Sequence, residues 1–288
     1  MTISTLVSFS PASVTLFFSP SMGNSAISTY SKGCAINITQ GVTATVQAAA
    51  STEVVFNGAA RSIAPVEYVL KKLSPEPIKV SLESSLPLGC GFGLSASACL
   101  ATAFALAKYY ALDLTRSELG MMAHEAEVTY KTGLGDVASQ LCGGIVYRKC
   151  ETGPLDSEKI LLLPQSIYFR IFDELETAKI LSDSDLLYTV SQKGTQATQW
   201  LVNNRHSLTL GNLLSRSYDF AQSAGLITNR EVNNCINDVL SQGGQATMIM
   251  LGQGVLSTLP VGNASDWIKC EIDNDGTRYI GEENGNTN

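Results

Sequence analysis

The chain mixes runs of period two with longer runs of period 3.6, so strands and helices are interleaved along it. Residues 5–18 read as an extended segment, Leu6-Val7 and then Val14 to Phe18, interrupted by Pro11; Gly41 to Val46 reads as another strand. Val66, Val69, Leu70 and Leu73 share one face of a helix over 63–73, which Pro75 and Pro77 end. Ile78, Val80 and Leu82 then alternate with Lys79, Ser81 and Glu83, the period of a half-buried strand over 78–84. From Ala96 to Ala111 nearly every residue is apolar, which predicts a helix buried on most sides. Thr115 with Glu118 is a capping box that opens a helix running past Val128 to the glycines at 133 and 135, and Ile145 to Arg148 is a strand.

Pro154 to Pro164 reads as a connection with a short apolar piece, Ile160 to Leu163, and the domain boundary is set there, dividing 1–155 from 156–288. Beyond it, Ile167, Phe169, Ile171 and Asp173 alternate as a strand. Helices follow over 184–206 and 209–224, and a third opens at Thr228 with Glu231 as a second capping box. Strands are expected at 254–259 and 268–273, and the polar tail from Asn274 is expected to fray.

Between the strand at 78–84 and the apolar helix lies Pro87 to Ala98, PLGCGFGLSASA. Gly89, Gly91 and Gly93 allow positive φ and bring amide N–H groups close to a ligand. The first turn of the following helix adds unpaired donors and the positive end of its dipole, which together suit a phosphate. A tight turn leading into a close-packed helix would carry the same spacing. No Gly-Lys-Ser/Thr follows, so the stretch is not a P-loop, and Leu94 and Ala96 break a dinucleotide G-x-G-x-x-G.

Composition narrows the classes. Hydrophobic residues at 44% are ample for a core in 288 residues, and charged residues at 16% fall below the ~25% of average soluble domains. A net charge of −7 gives no electrostatic reason to bind nucleic acid or an anionic membrane. The seven cysteines include no C-x-x-C pair, so they read as reduced thiols of a cytoplasmic protein rather than a zinc site or redox dithiol. The apolar start has no basic n-region and is read as strand, not signal peptide, and no apolar run reaches the length of a membrane span.

Pro87, Gly91, Phe92, Gly93, Leu94, Ser95 and Ala96 resemble the ATP-loop motif of the GHMP kinase superfamily, and the Cys90-Gly91-Phe92-Gly93 form resembles its archaeal pantoate kinase branch. Asp136 lies seven residues before Gly143-Gly144, as in that family, and the Ser31–Ala35 and Gly41-Val42-Thr43 pieces resemble the same branch. The glycine-poor Gly243–Gly252 segment resembles its third motif. One departure stands out: the family's Pro-Gly-Lys or Pro-Gly-His is Pro11-Ala12-Ser13 here, so Ser13 offers a hydrogen bond but no charge.

The resemblance implies an α+β, two-domain fold, with a ribosomal-protein-type N-terminal domain and a ferredoxin-like C-terminal domain. It implies a cytoplasmic enzyme that uses ATP and Mg²⁺ to phosphorylate a small molecule, with pantoate as the best candidate and 4-phosphopantoate as product. The same motifs would serve a kinase of homoserine, shikimate or mevalonate, or a non-catalytic protein of this fold. A homodimer is compatible with the resemblance; nucleic acid and membrane are not implied partners. The amides from Gly89 through Ser97 would hold the ATP phosphates, and Asp136 would be the base or orienter for the substrate hydroxyl. Ser95 would hold the ion with a glutamate, and the Ala-Glu-Val context favours Glu127 over its competitor Glu125; two residues apart on a helix, only one of these can face the site. Lys32, in a Ser/Gly-rich loop, Arg148, Lys131 and Ser13 are the substrate-side candidates. His124 reads as a satisfied core or surface histidine, and Asp136 could double as a helix N-cap.

Overall fold

A computed structural model describes residues 7–162, 165–173 and 184–280 of the chain. The expected pieces at Leu6, at Leu163-Pro164 and beyond Ile280 lie outside the described residues.

Two long strands, β1 (Val7–Ser21) and β2 (Tyr30–Ala48), form an antiparallel hairpin at the centre of the first sheet. Pro11 does not interrupt β1 as expected. The strand passes through it with a bulge between Pro11 and Ala12, which absorbs the ladder donor that proline lacks. Gly41 faces Pro11 across the ladder, and a Cβ there would lie 2.1 Å from the Ser10 carbonyl, so the close crossing requires glycine. Lys32, expected in a loop, lies inside β2.

β3 (Glu53–Phe56) and β4 (Ala59–Ala60) were not foreseen. They extend the sheet beyond β5 (Ile78–Glu83), which pairs with the end of β2. β6 (Ile145–Arg148) pairs with the beginning of β2, and β7 (Ser157–Ile160) pairs with β6. Four helices belong to this half: α1 (Ala64–Leu73), α2 (Leu94–Tyr109), α3 (Arg116–Tyr130) and α4 (Asp136–Cys142). α2 is apolar all round because it is walled on most sides, and Leu100, Phe104 and Leu106 are buried. Each such side chain stabilises the fold by about 1.5–3 kcal/mol. The Thr115–Glu118 capping box of α3 forms as expected.

The second sheet holds β8 (Ile167–Asp173), β9 (Ala246–Met248), β10 (Gln253–Ser257) and β11 (Ile268–Cys270), all antiparallel, in the order β11-β8-β10-β9. Numbered within the sheet this is 4-1-3-2, the ferredoxin-like order. Between β8 and β9 run α5 (Ser184–Asn203), α6 (Leu210–Ser223) and α7 (Arg230–Ser241). α5 ends before 206 and gives way to a 3₁₀ turn at Arg205–Ser207. Asn229, not Thr228, caps α7, its side chain accepting from the Glu231 amide, because Asn sits one residue nearer the first turn.

Over 274–280 the tail does not fray as expected. Thr277 is buried, and β12 (Arg278–Ile280) pairs with Val7–Phe9 of β1 at the edge of the first sheet. A three-residue strand is too short to show a hydrophobic period, and only the pairing partner reveals it. No helix among the described residues is long and apolar enough to cross a membrane.

Candidate active site

The glycine loop joins β5 to α2. Gly89, Gly91 and Gly93 have φ of 82°, 80° and 60°, so the alternate glycines of the sequence are alternate left-handed residues. Gly93 is the N-cap of α2, and the first intrahelical bond runs from the Ser97 amide to its carbonyl. The amides at the start of α2 are therefore free of intrahelical partners and point out of its N-terminus.

The loop is wedged between the two halves of the molecule. A Cβ on Gly91 would lie 2.6 Å from the Met250 carbonyl, and one on Gly252 would lie 2.3 Å from that of Cys90. The Gly243–Gly252 segment thus seats its last turn on the loop. Phe92 packs edge-on against Phe169 of β8 with centroids 5.0 Å apart. Cys90 is buried with its thiol toward the Leu88 and Asp173 carbonyls. Ser97 is also buried, its hydroxyl donating to the Pro11 carbonyl at 2.8 Å, so it anchors α2 to β1 rather than reaching the loop's mouth. Pro87 is exposed at the loop's entry.

Ser95, on the first turn of α2, donates a 2.6 Å hydrogen bond to Glu127 Oε1 from α3. Glu127 is 2% exposed, and burial pushes its carboxyl up to about 7, against the Ser95 and Thr132 hydrogen bonds that lower it and with the Asp136 charge adding to it. Glu125 points the other way, paired with Lys72 at 3.0 Å and accepting from Tyr68 Oη. The helical turn between the two glutamates sends one to the site and the other to the surface.

Asp136 is the first residue of α4 and not its cap, which is Gly135. A Cβ on Gly133 would stand 2.6 Å from Glu127 Oε2 and 3.4 Å from Asp136 Oδ2, so the two carboxylates meet over this glycine. A Cβ on Gly93 would lie 3.0 Å from Asp136 Cγ. Loop, glutamate and aspartate therefore share one small space. Asp136 keeps part of its surface open, yet the protein around it raises its carboxyl, opposed by the Arg148 charge and the neighbouring Thr15 hydroxyl.

Arg148 is 1% exposed and lies beneath Asp136. Its Nη1 donates to Thr15 Oγ1 at 3.3 Å and reaches Ser139 Oγ at 3.5 Å, while Nε and Nη2 have no partner among the described residues. Ser13 is buried two residues before Thr15, its amide bonded to the Phe92 carbonyl and its hydroxyl without a partner among the described residues. Lys32 stands between Ser31 and Gly33. Gly33 faces Arg148 across the ladder, so strand alternation sends Lys32 to the opposite face of the sheet. Lys131 is exposed at the C-cap of α3. His124 is buried with Nε2 facing the Ala26 and Thr29 carbonyls, a structural role.

Three site-lining residues escaped the sequence reading: Thr15, Thr132 and Gln140. The two threonines carry no pattern that separates them from ordinary strand and loop hydroxyls. Gln140 did have a signal, since it lies four residues after Asp136 and so on the same helical face. Its Nε2 donates to the Gly93 carbonyl at 2.9 Å.

Residues 57–144 match the model of the GHMP kinases N terminal domain. The chain is 30% identical over 272 residues to the pantoate kinase of Thermococcus kodakarensis, covering 86% of each chain. It is 29% identical over 265 residues to that of Methanospirillum hungatei, covering 89% of this chain and 88% of that one. A solved structure described as a phosphotransferase related to the CoA biosynthesis pathway superposes with a TM-score of 0.83 at 25% identity, over 98% of this chain and all of that one. The Methanococcus jannaschii mevalonate kinase superposes with a TM-score of 0.66 at 12% identity, over 94% of this chain and 99% of that one, a likeness of fold alone.

Proposed function

We propose, from the premise that the chain belongs to the GHMP kinase family, that it is a pantoate kinase, transferring the γ-phosphoryl group of ATP to the 4-hydroxyl of pantoate. The observation that carries the chemistry is the meeting of Ser95, Glu127 and Asp136 at the N-terminus of α2. The substrate rests on the two pantoate kinases matched over most of their length.

Phosphoryl transfer needs positioning and neutralised charge more than covalent help. The glycine-loop amides and the first turn of α2 bind the phosphates. The substrate hydroxyl oxygen bonds to the γ-phosphorus, the bond from that phosphorus to the ADP oxygen breaks, and the hydroxyl proton passes to Asp136. Arg148 and Thr15 oppose the burial that raises the Asp136 carboxyl, Arg148 through its charge and Thr15 through a hydrogen bond. This cation comes from β6, where Ser13 of β1 supplies none.

The donor set at Ser95 and Glu127 is all oxygen, which fits Mg²⁺, an ion that takes one or two protein ligands and fills its shell with phosphate oxygens and water. When bound, the ion neutralises charge on the β- and γ-phosphates. The raised Glu127 carboxyl also fits such a site, since a buried carboxylate beside a second one gains most from a cation.

The function is tested by ADP release with Mg-ATP and a panel of pantoate, homoserine, shikimate, mevalonate and glycerate. Turnover with pantoate alone is expected. Turnover only with another member would keep the ATP chemistry and remove the substrate assignment.

The Glu127 carboxyl sets a pH dependence whose sign follows from its raised value. Its folded-state value of about 7 lies above the ordinary 4.5, so metal-free folding is favoured by protonation. That contribution is complete below about 4.5 and is lost as pH rises toward and through about 7. In EDTA the melting temperature should therefore fall between those values, and Mg-ATP should restore it at the upper end. A wild-type pH profile parallel to that of Glu127→Gln would show that Glu127 titrates normally, because His124, held below its usual value by burial, shifts both curves the other way.

A further inference from the structure

α4 is only seven residues long and ends in Gly143-Gly144, so its last carbonyls need partners from elsewhere. They find them in the returning tail, more than 130 residues away. The Gln140 carbonyl accepts from the Thr277 amide at 2.8 Å and from Thr277 Oγ1 at 3.2 Å. Arg116 clamps the same junction, its Nη1 donating to the Thr277 carbonyl at 2.8 Å and its Nη2 to that of Leu141 at 3.1 Å. Gly276 sits so tightly that a Cβ would lie 2.6 Å from the Leu141 carbonyl and 2.8 Å from that of Gln140. The turn itself is shaped by the buried Asp273 carboxylate, which accepts from the Gly276 amide at 2.8 Å and from Arg278 Nη1 at 2.9 Å. Thr277 is wholly buried, and its hydroxyl also meets Ser10 Oγ of β1 at 2.9 Å.

The same residue that receives this cap faces the glycine loop. The Gln140 backbone carbonyl takes the Thr277 bonds, while its side-chain amide donates to the Gly93 carbonyl at the N-cap of α2. Asp136 lies one turn earlier on the same face of α4.

We infer that the Asp273–Thr277 turn is a positioning device for the active site, with Thr277 acting through Gln140 to fix the axial position of α4 and hence the distance from Asp136 to the glycine loop. This rests on the reading of Asp136 and the loop as the reacting site. Hydrogen bonds of this kind constrain a helix that has too few of its own, and a misplacement of about 1 Å at a reacting group can cost about 10²-fold in rate.

Thr277→Val keeps the shape of the side chain and removes the hydroxyl, while Thr277→Ser keeps the hydroxyl. Thr277→Val should lower kcat about tenfold with little change in the KM for ATP, and Thr277→Ser should restore it. Gln140→Met leaves the backbone cap intact and breaks only the link to Gly93. It should lower kcat to a similar degree, and the double variant should be little worse than either alone, the non-additivity of groups acting in one chain. Amide exchange over 89–97 and 136–142 provides a second readout that needs no substrate, and it should speed up in both single variants. Should Thr277→Val not fold, Gln140→Met carries the test by itself. Wild-type kcat and unchanged exchange in the folded variants would overturn the inference, as would a Thr277→Ser as impaired as Thr277→Val. If the wild type turned over no member of the panel while exchange still responded, the positioning link would stand and the kinase reading would fall.

Discussion

Asp136→Ala is expected to lower kcat by about 10²–10⁴-fold, the range of a lost general base, while ATP still binds. The expectation rests on position: Asp136 faces Gly93 at the N-cap of α2 and meets Glu127 over Gly133. The competing Glu125 is turned away from that space to Lys72. Because Asp136 is the first residue of α4 and Gly135 is its cap, the substitution should leave the helix intact. Removing a raised, partly buried carboxyl should not destabilise the fold either. Steady-state kinetics beside a thermal melt and an ATP titration check it. Near-normal turnover in a folded variant would take Asp136 out of the mechanism.

Glu127→Gln should separate stability from activity. Gln keeps the shape and can still accept from Ser95, but it brings no charge into a site that is 2% exposed. The metal-free variant should melt higher than the wild type above about pH 7, where the wild-type carboxyl is ionised without a counter-charge. Its kcat/KM should fall by about 10²–10³-fold, the equivalent of several kcal/mol of lost charge stabilisation, with a steeper requirement for Mg²⁺. A Mg²⁺ titration of turnover, paired with melts in EDTA, reads both halves. A wild-type Mg²⁺ dependence would assign the ion to another group. A melting temperature unchanged above pH 7 would deny the buried charge.

Much of the site was legible in the chain because its parts are local. Three glycines at alternate positions before an apolar helix specify alternate left-handed residues and an open helix N-terminus, whatever lies around them. The Thr115–Glu118 box fixes where α3 starts, and the spacing from Asp136 to Gly143-Gly144 encloses a single short helix. These are contacts between residues a few positions apart, and short-range sterics and hydrogen bonds decide them.

The rest was settled by partners distant in sequence. The choice between Glu125 and Glu127 depended on which face of α3 meets α2, and no spacing within α3 contains that. Arg148 reads as any strand-end cation until β2 sets it beneath Asp136, and Lys32 leaves the other face of that same strand. Pro11 looked like a break because proline lacks a donor, yet a bulge opposite Gly41 carries the strand through it. The tail from Asn274 looked unstructured because it has no apolar period. Over 274–280 its order comes from the last α4 carbonyls, which have no donor within the helix, and from the edge of β1. The sequence by itself determined the chemistry on offer and the local frames that hold it. Only the tertiary structure decided which groups meet, because burial and long-range hydrogen bonds choose among side chains that local pattern leaves equivalent.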